Sequence, residues 1–388
     1  MTPVRVFILA GEPSGDKLGG ALMAGLKTLN PDVVFEGVGG ALMQAEGLQS
    51  RFDMTELSVM GLAEILPKYR HLKRRIAQTA DAVIAMQPDV LITIDSPDFS
   101  LRVAKQVKAR SAIRCVHYVA PTVWAWRAGR AAKMARHIDQ VLALLPFEPP
   151  YMQAAGMRCD FVGHPVVAEP AATAQDAQTF REEYGIGAGP LMLVLPGSRG
   201  SEVARLGPRF GQVVREMKTA QPDLKFVVPA AAPVAQDVLE LTADWPATTV
   251  LDPRLGDYRA AMDEKRAAFR AADVALAASG TVSLELAAAD TPMVIAYDMS
   301  PLSRFVINRM VKVDTVTLVN LVSQTRAVPE FIGKDCIPEK IAPALAEALI
   351  HPEAQRAAMA LSMQRLGLGG EGPGLRAARA VLDGIRAA

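Results

Sequence analysis

Leu191 to Val203 reads LMLVLPGSRGSEV, an apolar run followed by a glycine turn. The pattern predicts a buried strand that passes through the turn into a helix. A turn of this kind points backbone N–H groups and the positive end of the helix dipole at an anion, most often a phosphate. Arg199 lies in the turn, where its guanidinium can bind two phosphate oxygens. An ordinary turn with a surface arginine is the alternative, and the missing Gly-Lys-Ser/Thr ending argues against a P-loop.

A second unit of the same kind opens the chain. Val4 to Ala10 is an apolar strand, the loop GEPSGDKLGG follows, and Ala21 to Leu29 has a helical pattern. A further strand at Val33 to Val38 completes a βαβ opening, which is typical of a doubly wound sheet that binds ligands beyond the carboxyl ends of its strands. We therefore predict an α/β protein with two Rossmann-like, doubly wound domains that face a central cleft.

The length of the chain also favours two domains, because 388 residues exceed the size at which one core keeps growing. The alanine-rich, proline-marked stretch from Val166 to Thr179 is the natural linker. We expect domains at residues 1–168 and 169–388, the second one including an alanine-rich helical tail from Pro338 onward.

The charge and the cysteines exclude some classes of function. There are 42 basic and 41 acidic residues, a balance that argues against a general nucleic-acid-binding protein. The three cysteines are far apart and form no CxxC pattern, so we expect reduced thiols without a metal or disulfide role. The first apolar run is too short for a signal peptide or a membrane span, which predicts a cytosolic protein.

The segment from Leu57 to Arg75, LSVMGLAEILPKYRHLKRR, combines an apolar stripe with a dense basic cluster. This composition is typical of an element that lies on an anionic membrane surface. A core-packed helix with a solvated basic face is the alternative. Pro67 is expected to start a new helix, since a proline within a helix breaks it.

The candidate catalytic residues of the first half lie on its first loop and at a later strand end. Glu12 and Ser14 are on the loop, where Ser14 or Asp16 can also cap the helix, whereas Glu12 has no comparable structural use. The strand in PDVLITIDSPDF ends in Asp95 and Asp98. Asp95 is the first polar residue after the apolar run and is the better candidate for a general base, while Asp98 can equally cap the next helix.

A strand and a tryptophan-containing loop follow at CVHYVAPTVWAW, and a basic helix comes next. Basic side chains there suit an anionic group such as a phosphate, so candidates for contacting a ligand that carries a phosphate are Asp98, His117, Trp126 and Arg127. For His117, a satisfied position in the core is the interpretation that the strand pattern favours.

The second half contains another strand-to-helix turn, within ASGTVSLELAAAD. Glu285 lies one helical turn beyond it and can face the same crevice as Arg199, where a carboxylate suits the two hydroxyls of a ribose. Asn320 lies among apolar neighbours and needs hydrogen-bond partners from the backbone or from a ligand.

Ten short blocks of sequence carry a resemblance to a known family. They occur in order from Ala10 to the region of Asn320: AGEPSGD, GVGG, ELSVMGLAEIL, IDSPDF, HYVAPTVWAWR, LPFEP, FVGHP, LPGSRGSEV, ASGTVSLE and LVNLV. Together these blocks resemble the lipid-A-disaccharide synthase family. The proline of GEPSG replaces a threonine that other members can carry, and it leaves Glu12 and Ser14 in register.

The resemblance implies a GT-B fold and an inverting transfer that needs no metal and no cofactor. UDP-2,3-diacylglucosamine would donate its sugar to the 6-hydroxyl of 2,3-diacylglucosamine 1-phosphate, giving a β-1,6 disaccharide and UDP. It implies Asp95 as the base, with Glu12 and Ser14 near the reacting sugar. It implies a donor site at Gly197, Ser198, Arg199, Ser279, Gly280, Thr281, Glu285 and Asn320.

Because both implied substrates carry acyl chains, the resemblance favours contact of segment 57–75 with the cytoplasmic face of the bacterial inner membrane. The helical tail would also allow a homodimer. Two alternatives of other classes are a UDP-sugar 2-epimerase of the same fold and a non-catalytic membrane protein that binds nucleotide sugars. A dinucleotide dehydrogenase fits less well, since no GxGxxG follows either first strand.

Overall fold

The computed structural model describes residues 3–57, 62–125, 129–299 and 313–387, and gives side chains for these except 62–68. The chain forms two compact units. The first comprises Met1–Ala168 and Leu366–Ala388, and the second comprises Glu169–Arg365.

The first unit is built on a parallel sheet of six strands in the order β2-β1-β3-β4-β5-β6. Its strands are β1 (Arg5–Ala10), β2 (Val34–Val38), β3 (Val90–Ile94), β4 (Arg114–Tyr118), β5 (Gln140–Ala143) and β6 (Arg158–Phe161). Its helices are α1 (Pro13–Leu29), α2 (Ala41–Ala45), α3 (Leu62–Met86), α4 (Pro97–Lys108), α5 (Gly129–Met134) and α6 (Pro149–Gln153). Short 3-10 turns lie at Met54–Leu57 and Pro165–Ala168.

The register of this sheet places three loops at one edge. Ala10 at the end of β1 pairs with Ile94 at the end of β3, and Ile94 pairs with Tyr118 at the end of β4. The central strand β3 is buried along its whole length, as an apolar strand covered by helices on both faces must be. The loops after β1, β3 and β4 therefore leave the sheet side by side.

The second unit repeats this architecture, with strands in the order β12-β11-β10-β7-β8-β9. Its strands are β7 (Leu191–Leu195), β8 (Lys225–Pro229), β9 (Thr248–Leu251), β10 (Val274–Ala277), β11 (Met293–Tyr297) and β12 (Glu330–Ile332). Its helices are α7 (Ala174–Glu183), α8 (Gly200–Ala220), α9 (Ala235–Thr242), α10 (Tyr258–Ala271), α11 (Val282–Ala288), α12 (Leu318–Ser323), α13 (Pro338–Ile350) and α14 (Glu353–Arg365). Further 3-10 turns lie at Ala232–Val234 and Gly333–Asp335.

Two parallel six-stranded sheets with intervening helices confirm the predicted class of two doubly wound α/β units. Pairing is parallel in both sheets, so the strands of each present their carboxyl ends at one edge. The sequence pattern from Pro301 to Lys312 also favours a helix, and this segment lies outside the described residues. Within the described part of the chain, no helix has the length and hydropathy needed to span a bilayer.

The last helix, α15 (Pro373–Arg386), belongs to the first unit. It packs on α1 so closely that a Cβ on Gly374 would lie 2.4 Å from the carbonyl oxygen of Ala21. The buried Gln140 side chain on β5 donates from Nε2 to the carbonyl oxygen of Ala380 at 2.9 Å. The expectation that the whole tail joins the second domain therefore does not hold for residues 366–388, because the partners of this helix are on the first sheet and α1.

Helix α3 corrects a second expectation. It runs without interruption through Pro67, whereas the sequence analysis started a new helix there. Proline lacks an N–H, so this position forfeits one bond to the carbonyl four residues earlier, and the rest of a 25-residue helix outweighs that loss. Part of the basic cluster is also engaged: Glu56 forms ion pairs with Arg75 at 2.7 Å and with His71 at 2.6 Å.

Candidate functional site

The loop after β1 places Glu12 and Ser14 at the carboxyl edge of the first sheet. Glu12 is the N-cap residue of α1, with Pro13 at the first helical position, where its fixed φ suits a helix start. Ser14 follows in the first turn and is exposed. A Cβ on Gly11 would lie 2.7 Å from the Ser96 Oγ, so the loop after β1 touches the loop after β3.

The loop after β3 carries Asp95 in a left-handed conformation. Asp95 has a φ of 46° and Ser96 a φ of 43°, a pair of consecutive non-glycine residues in a region that costs energy. The Asp95 N–H donates to the carbonyl oxygen of Tyr118 at 3.0 Å, which fixes the turn to β4. Burial raises the pKa of the Asp95 carboxyl, in part offset by a backbone hydrogen bond from Ser96. Asp95 is thus a partly desolvated carboxylate beside the Glu12 loop.

The neighbouring Asp98 is unlike Asp95. Its side chain is fully exposed and lies 4.0 Å from Arg102 on the next turn of α4. The N-cap residue of α4 is Ser96, so the expected capping by Asp98 is wrong, since the helix begins two residues earlier than the sequence pattern indicated. Asp98 lies in the first helical turn, where a carboxylate is favourable.

Asp16, a candidate cap for its own helix α1, has hydrogen-bond partners at the start of α2. Asp16 is buried, and its oxygens accept hydrogen bonds from the backbone N–H groups of Gly40, Leu42 and Met43 at 2.8 to 3.0 Å. These are the donors at the start of α2, so Asp16 caps α2 rather than its own helix. The spacing between residues 16 and 40 gives no local signal of this contact.

The other candidates of the first half are His117, Trp126 and Arg127. His117 on β4 is buried, its Nδ1 lies 2.8 Å from the Thr93 Oγ1, and burial lowers its pKa to about 4. It therefore occupies the core position that the strand pattern favoured, which does not support its candidacy as an acceptor ligand. Trp126 and Arg127 lie outside the described residues. Val119, just after β4, has a φ of 84°, which is strained for a β-branched residue.

In the second unit, seven of the eight predicted donor-site residues line one cavity of about 620 Å³ at the carboxyl edge of the sheet. The seven are Gly197, Ser198, Arg199, Ser279, Gly280, Thr281 and Glu285. The loop after β7 contributes the first three, the turn between β10 and α11 contributes Ser279, Gly280 and Thr281, and α11 contributes Glu285, since β10 is next to β7 in the sheet. The ends of β8 and β9 and one face of α10 close the cavity.

Two charged pairs lie on the wall of this cavity. Arg199, with a side chain 62% exposed, binds Glu202 at 3.1 Å. Glu285 accepts a hydrogen bond from the Lys265 ammonium at 2.6 Å. Lys265 is on α10, and the sequence analysis did not single it out because its contact with Glu285 is purely tertiary.

Asn320 is separate from this cavity. It is buried, and its amide donates to the carbonyl oxygen of Val328 and to Glu330 at 2.9 Å each, while its carbonyl accepts the Val328 N–H at 3.0 Å. The partners that an apolar setting demands come from the protein itself. Its predicted role as a donor ligand is therefore not supported, and Asn320 holds the segment before β12 to α12.

Metal-binding groupings are absent from the described residues, in which no cluster of three or more His, Cys, Asp or Glu side chains could hold an ion. Cys115, Cys159 and Cys336 are buried, and none of these described cysteines forms a disulfide. Burial raises the pKa of the Cys115 and Cys159 thiols to about 12.

Comparison with known proteins relates the chain to one family along almost its whole length. The family model described as lipid-A-disaccharide synthetase matches residues 6–378. The chain is 66% identical over 382 residues to the lipid-A-disaccharide synthase of Ruegeria pomeroyi, covering 98% of this chain and 95% of that one. It is 46% identical over 391 residues to the enzyme of the same name from Rhodospirillum centenum, covering 99% and 96%.

Solved structures with a similar fold have other names and low identity. UDP-GlcNAc 2-epimerase from Neisseria meningitidis, bound to UDP-GlcNAc, superposes with a TM-score of 0.63 at 11% identity over 100% of both chains. The co-structure of S. aureus MnaA with UDP gives a TM-score of 0.66 at 12% identity, covering 99% of this chain and 96% of that one. Both comparisons concern the fold alone, which is of the GT-B type.

The epimerases share only the fold with this chain. The two synthases share 66% and 46% of its residues over nearly the whole length, so sequence identity decides the family. The chain belongs to the lipid-A-disaccharide synthase family, whose members are hexosyltransferases of lipid A synthesis.

Proposed function

We propose that this hexosyltransferase uses Asp95 as its general base and the cavity of its second unit as its UDP-sugar site. The reaction joins the diacylglucosaminyl group of UDP-2,3-diacylglucosamine to the 6-hydroxyl of 2,3-diacylglucosamine 1-phosphate and releases UDP. The product is a β-1,6-linked disaccharide. The observation that carries the proposed mechanism is the partly desolvated Asp95 at the sheet edge beside the Glu12 loop.

Asp95 takes the proton of the acceptor hydroxyl as that oxygen attacks the anomeric carbon. Inversion requires the attack from the face opposite the departing UDP, so the base must lie on the acceptor side. A carboxylate whose pKa is raised by burial is a stronger base than an exposed one. Glu12 and Ser14 lie on the neighbouring loop, where they can contact the acceptor or the reacting sugar.

The second unit would bind the donor through the loop after β7 and the turn after β10. Arg199 and backbone N–H groups stabilise the negative charge that develops on the departing diphosphate. Glu285 can accept hydrogen bonds from the ribose hydroxyls, and the hydrogen bond from Lys265 holds its carboxylate in place. The cavity of about 620 Å³ is of the size that small-molecule sites have.

The acyl chains of both substrates place the reaction at a membrane surface. The exposed Tyr69 and the basic residues that follow it on α3 support an attachment to anionic lipid at the cytoplasmic face of the inner membrane. Because Glu56 engages His71 and Arg75, the attraction to lipid rests on Arg70, Lys73 and Arg74.

The donor site is tested by Arg199→Ala, with Arg215→Ala on the exposed end of the same helix as the control. UDP affinity is measured by calorimetry, and UDP release from the donor is measured in detergent micelles with and without acceptor. We expect Arg199→Ala to weaken UDP binding by about tenfold to a hundredfold, the effect of one charge-assisted contact with phosphate. Unchanged UDP affinity would place the donor elsewhere, and release of UDP that ignores the acceptor would contradict the transferase mechanism.

A further inference from the structure

In the proposed donor cavity, the Glu202 carboxylate accepts hydrogen bonds from groups that a diphosphate would otherwise bind. Glu202 accepts from the Ser198 backbone N–H at 3.2 Å and from the Arg199 guanidinium at 3.1 Å. The Tyr297 hydroxyl, at the carboxyl end of β11, donates to the same carboxylate at 3.4 Å. The Glu202 side chain is only 13% exposed, although it is charged and on the cavity wall.

The Glu202 carboxylate also lies directly against the glycine turn. A Cβ on Gly197 would lie 2.6 Å from the Glu202 Oε2, and Gly197 has a φ of 120°, which only glycine adopts readily. The carboxylate therefore lies against the concave side of the glycine turn. Successive N–H groups in such a turn form an anion site, and here the anion is a side chain of the protein itself.

The described lining of the cavity contains more carboxylates than cations. Its described lining includes two cations, Arg199 and Lys265, and three carboxylates, Glu202, Glu264 and Glu285. Lys265 is paired with Glu285, and Arg199 is paired with Glu202. A diphosphate that enters this cavity therefore meets more carboxylates than cations in the described lining, and Glu202 occupies the Arg199 guanidinium that would bind it.

We propose that Glu202 is an internal competitor for the diphosphate site, an inference that rests on the proposed donor site. When the UDP-sugar binds, the carboxylate gives up the Ser198 N–H and the Arg199 guanidinium to the diphosphate. When the reaction is complete, the returning carboxylate reclaims both donors and promotes the release of UDP. Glu202 is a positioning residue in this scheme, since it acts through Ser198 and Arg199.

The experiment measures UDP binding by calorimetry for the full chain and for Glu202→Gln, which keeps the side-chain shape and removes the charge. Glu216→Gln, on the exposed far end of α8, is the matched control. We expect Glu202→Gln to bind UDP about tenfold more tightly, the effect of losing one competing charge-assisted hydrogen bond. Uridine, which lacks phosphate, should bind both proteins equally, a result that a general change in the cavity would not produce. UDP should also become a stronger inhibitor of turnover in the variant.

Equal or weaker UDP binding by Glu202→Gln would overturn the inference and leave Glu202 as a support that orients Arg199. The failure of the donor site itself looks different, because Arg199→Ala would then leave UDP affinity unchanged. If Glu202→Gln does not fold, Glu202→Ala provides a second test, since it removes the carboxylate altogether and UDP binding should again tighten.

Discussion

Replacing Asp95 by asparagine is the sharpest test of the proposed base. Asparagine has almost the same shape as aspartate and tolerates the left-handed φ of 46° found at this position, so the fold should be retained. Asp95→Ala is a poorer choice, because an alanine in this conformation costs about 1 kcal/mol and would lower the Tm of a unit of this size by roughly 2 to 4 °C. A loss of rate in the alanine variant would therefore mix chemistry with strain.

The expected effect on catalysis is large. Loss of a general base lowers the rate by about 10²- to 10⁴-fold, measured as acceptor-dependent UDP release in micelles. The acceptor KM should change little, because asparagine can still hydrogen bond to the hydroxyl. Asp98→Asn is the control, since the Asp98 side chain is fully exposed and its loss should leave the rate nearly unchanged. A full rate in Asp95→Asn, or an equal loss in Asp98→Asn, would refute the assignment.

The pH dependence of kcat should reflect the ionisation of Asp95. A base acts only when it is deprotonated, so activity is present above its pKa and is lost as the pH falls through it. Because burial raises the pKa of Asp95 above the ordinary 3.8, the acid limb of kcat should lie at a higher pH than for an exposed aspartate. The residual activity of Asp95→Asn should lack this limb. An acid limb that persists unchanged in the variant would assign it to another group.

Two further predictions concern the tail helix and the membrane surface. Gly374→Ala would drive a methyl group to 2.4 Å from the Ala21 carbonyl oxygen, so we expect the first unit to lose about 1 to 3 kcal/mol in urea unfolding. Gly129→Ala, with open space around it, is the control, and equal stability of the two variants would contradict the packing of α15 on α1. Lys73→Gln with Arg74→Gln should weaken binding to anionic vesicles by about 2 kcal/mol, measured by cosedimentation, without changing UDP affinity. Undiminished binding would remove this face of α3 from the membrane contact.

Several features of the candidate site were predictable from local sequence. The alternation of apolar runs, glycine turns and helical patterns predicted two doubly wound units, because strands buried on both faces are continuous apolar segments. Parallel strands present their carboxyl ends at one edge, so residues that follow strands, such as Glu12 and Asp95, were expected at the ligand-binding edge, and the pairing of β1 with β3 makes their loops neighbours. The seven donor-site residues that share one cavity were implied by the family resemblance, and the positions of Arg199 and Glu285 after their strands also predicted that these two face one crevice.

What the sequence by itself determined is thus the repeating unit and the edge of each sheet where polar residues gather, since both follow from short-range periodicity. Only the tertiary structure decided which partner each polar group finds. Asn320 bonds to Val328 and Glu330, Glu285 pairs with Lys265, and the tail helix joins the first unit. These contacts depend on distances between segments far apart in the chain, and a hydrogen bond or a close helix contact forms only when the complete fold brings the two groups within a few ångströms.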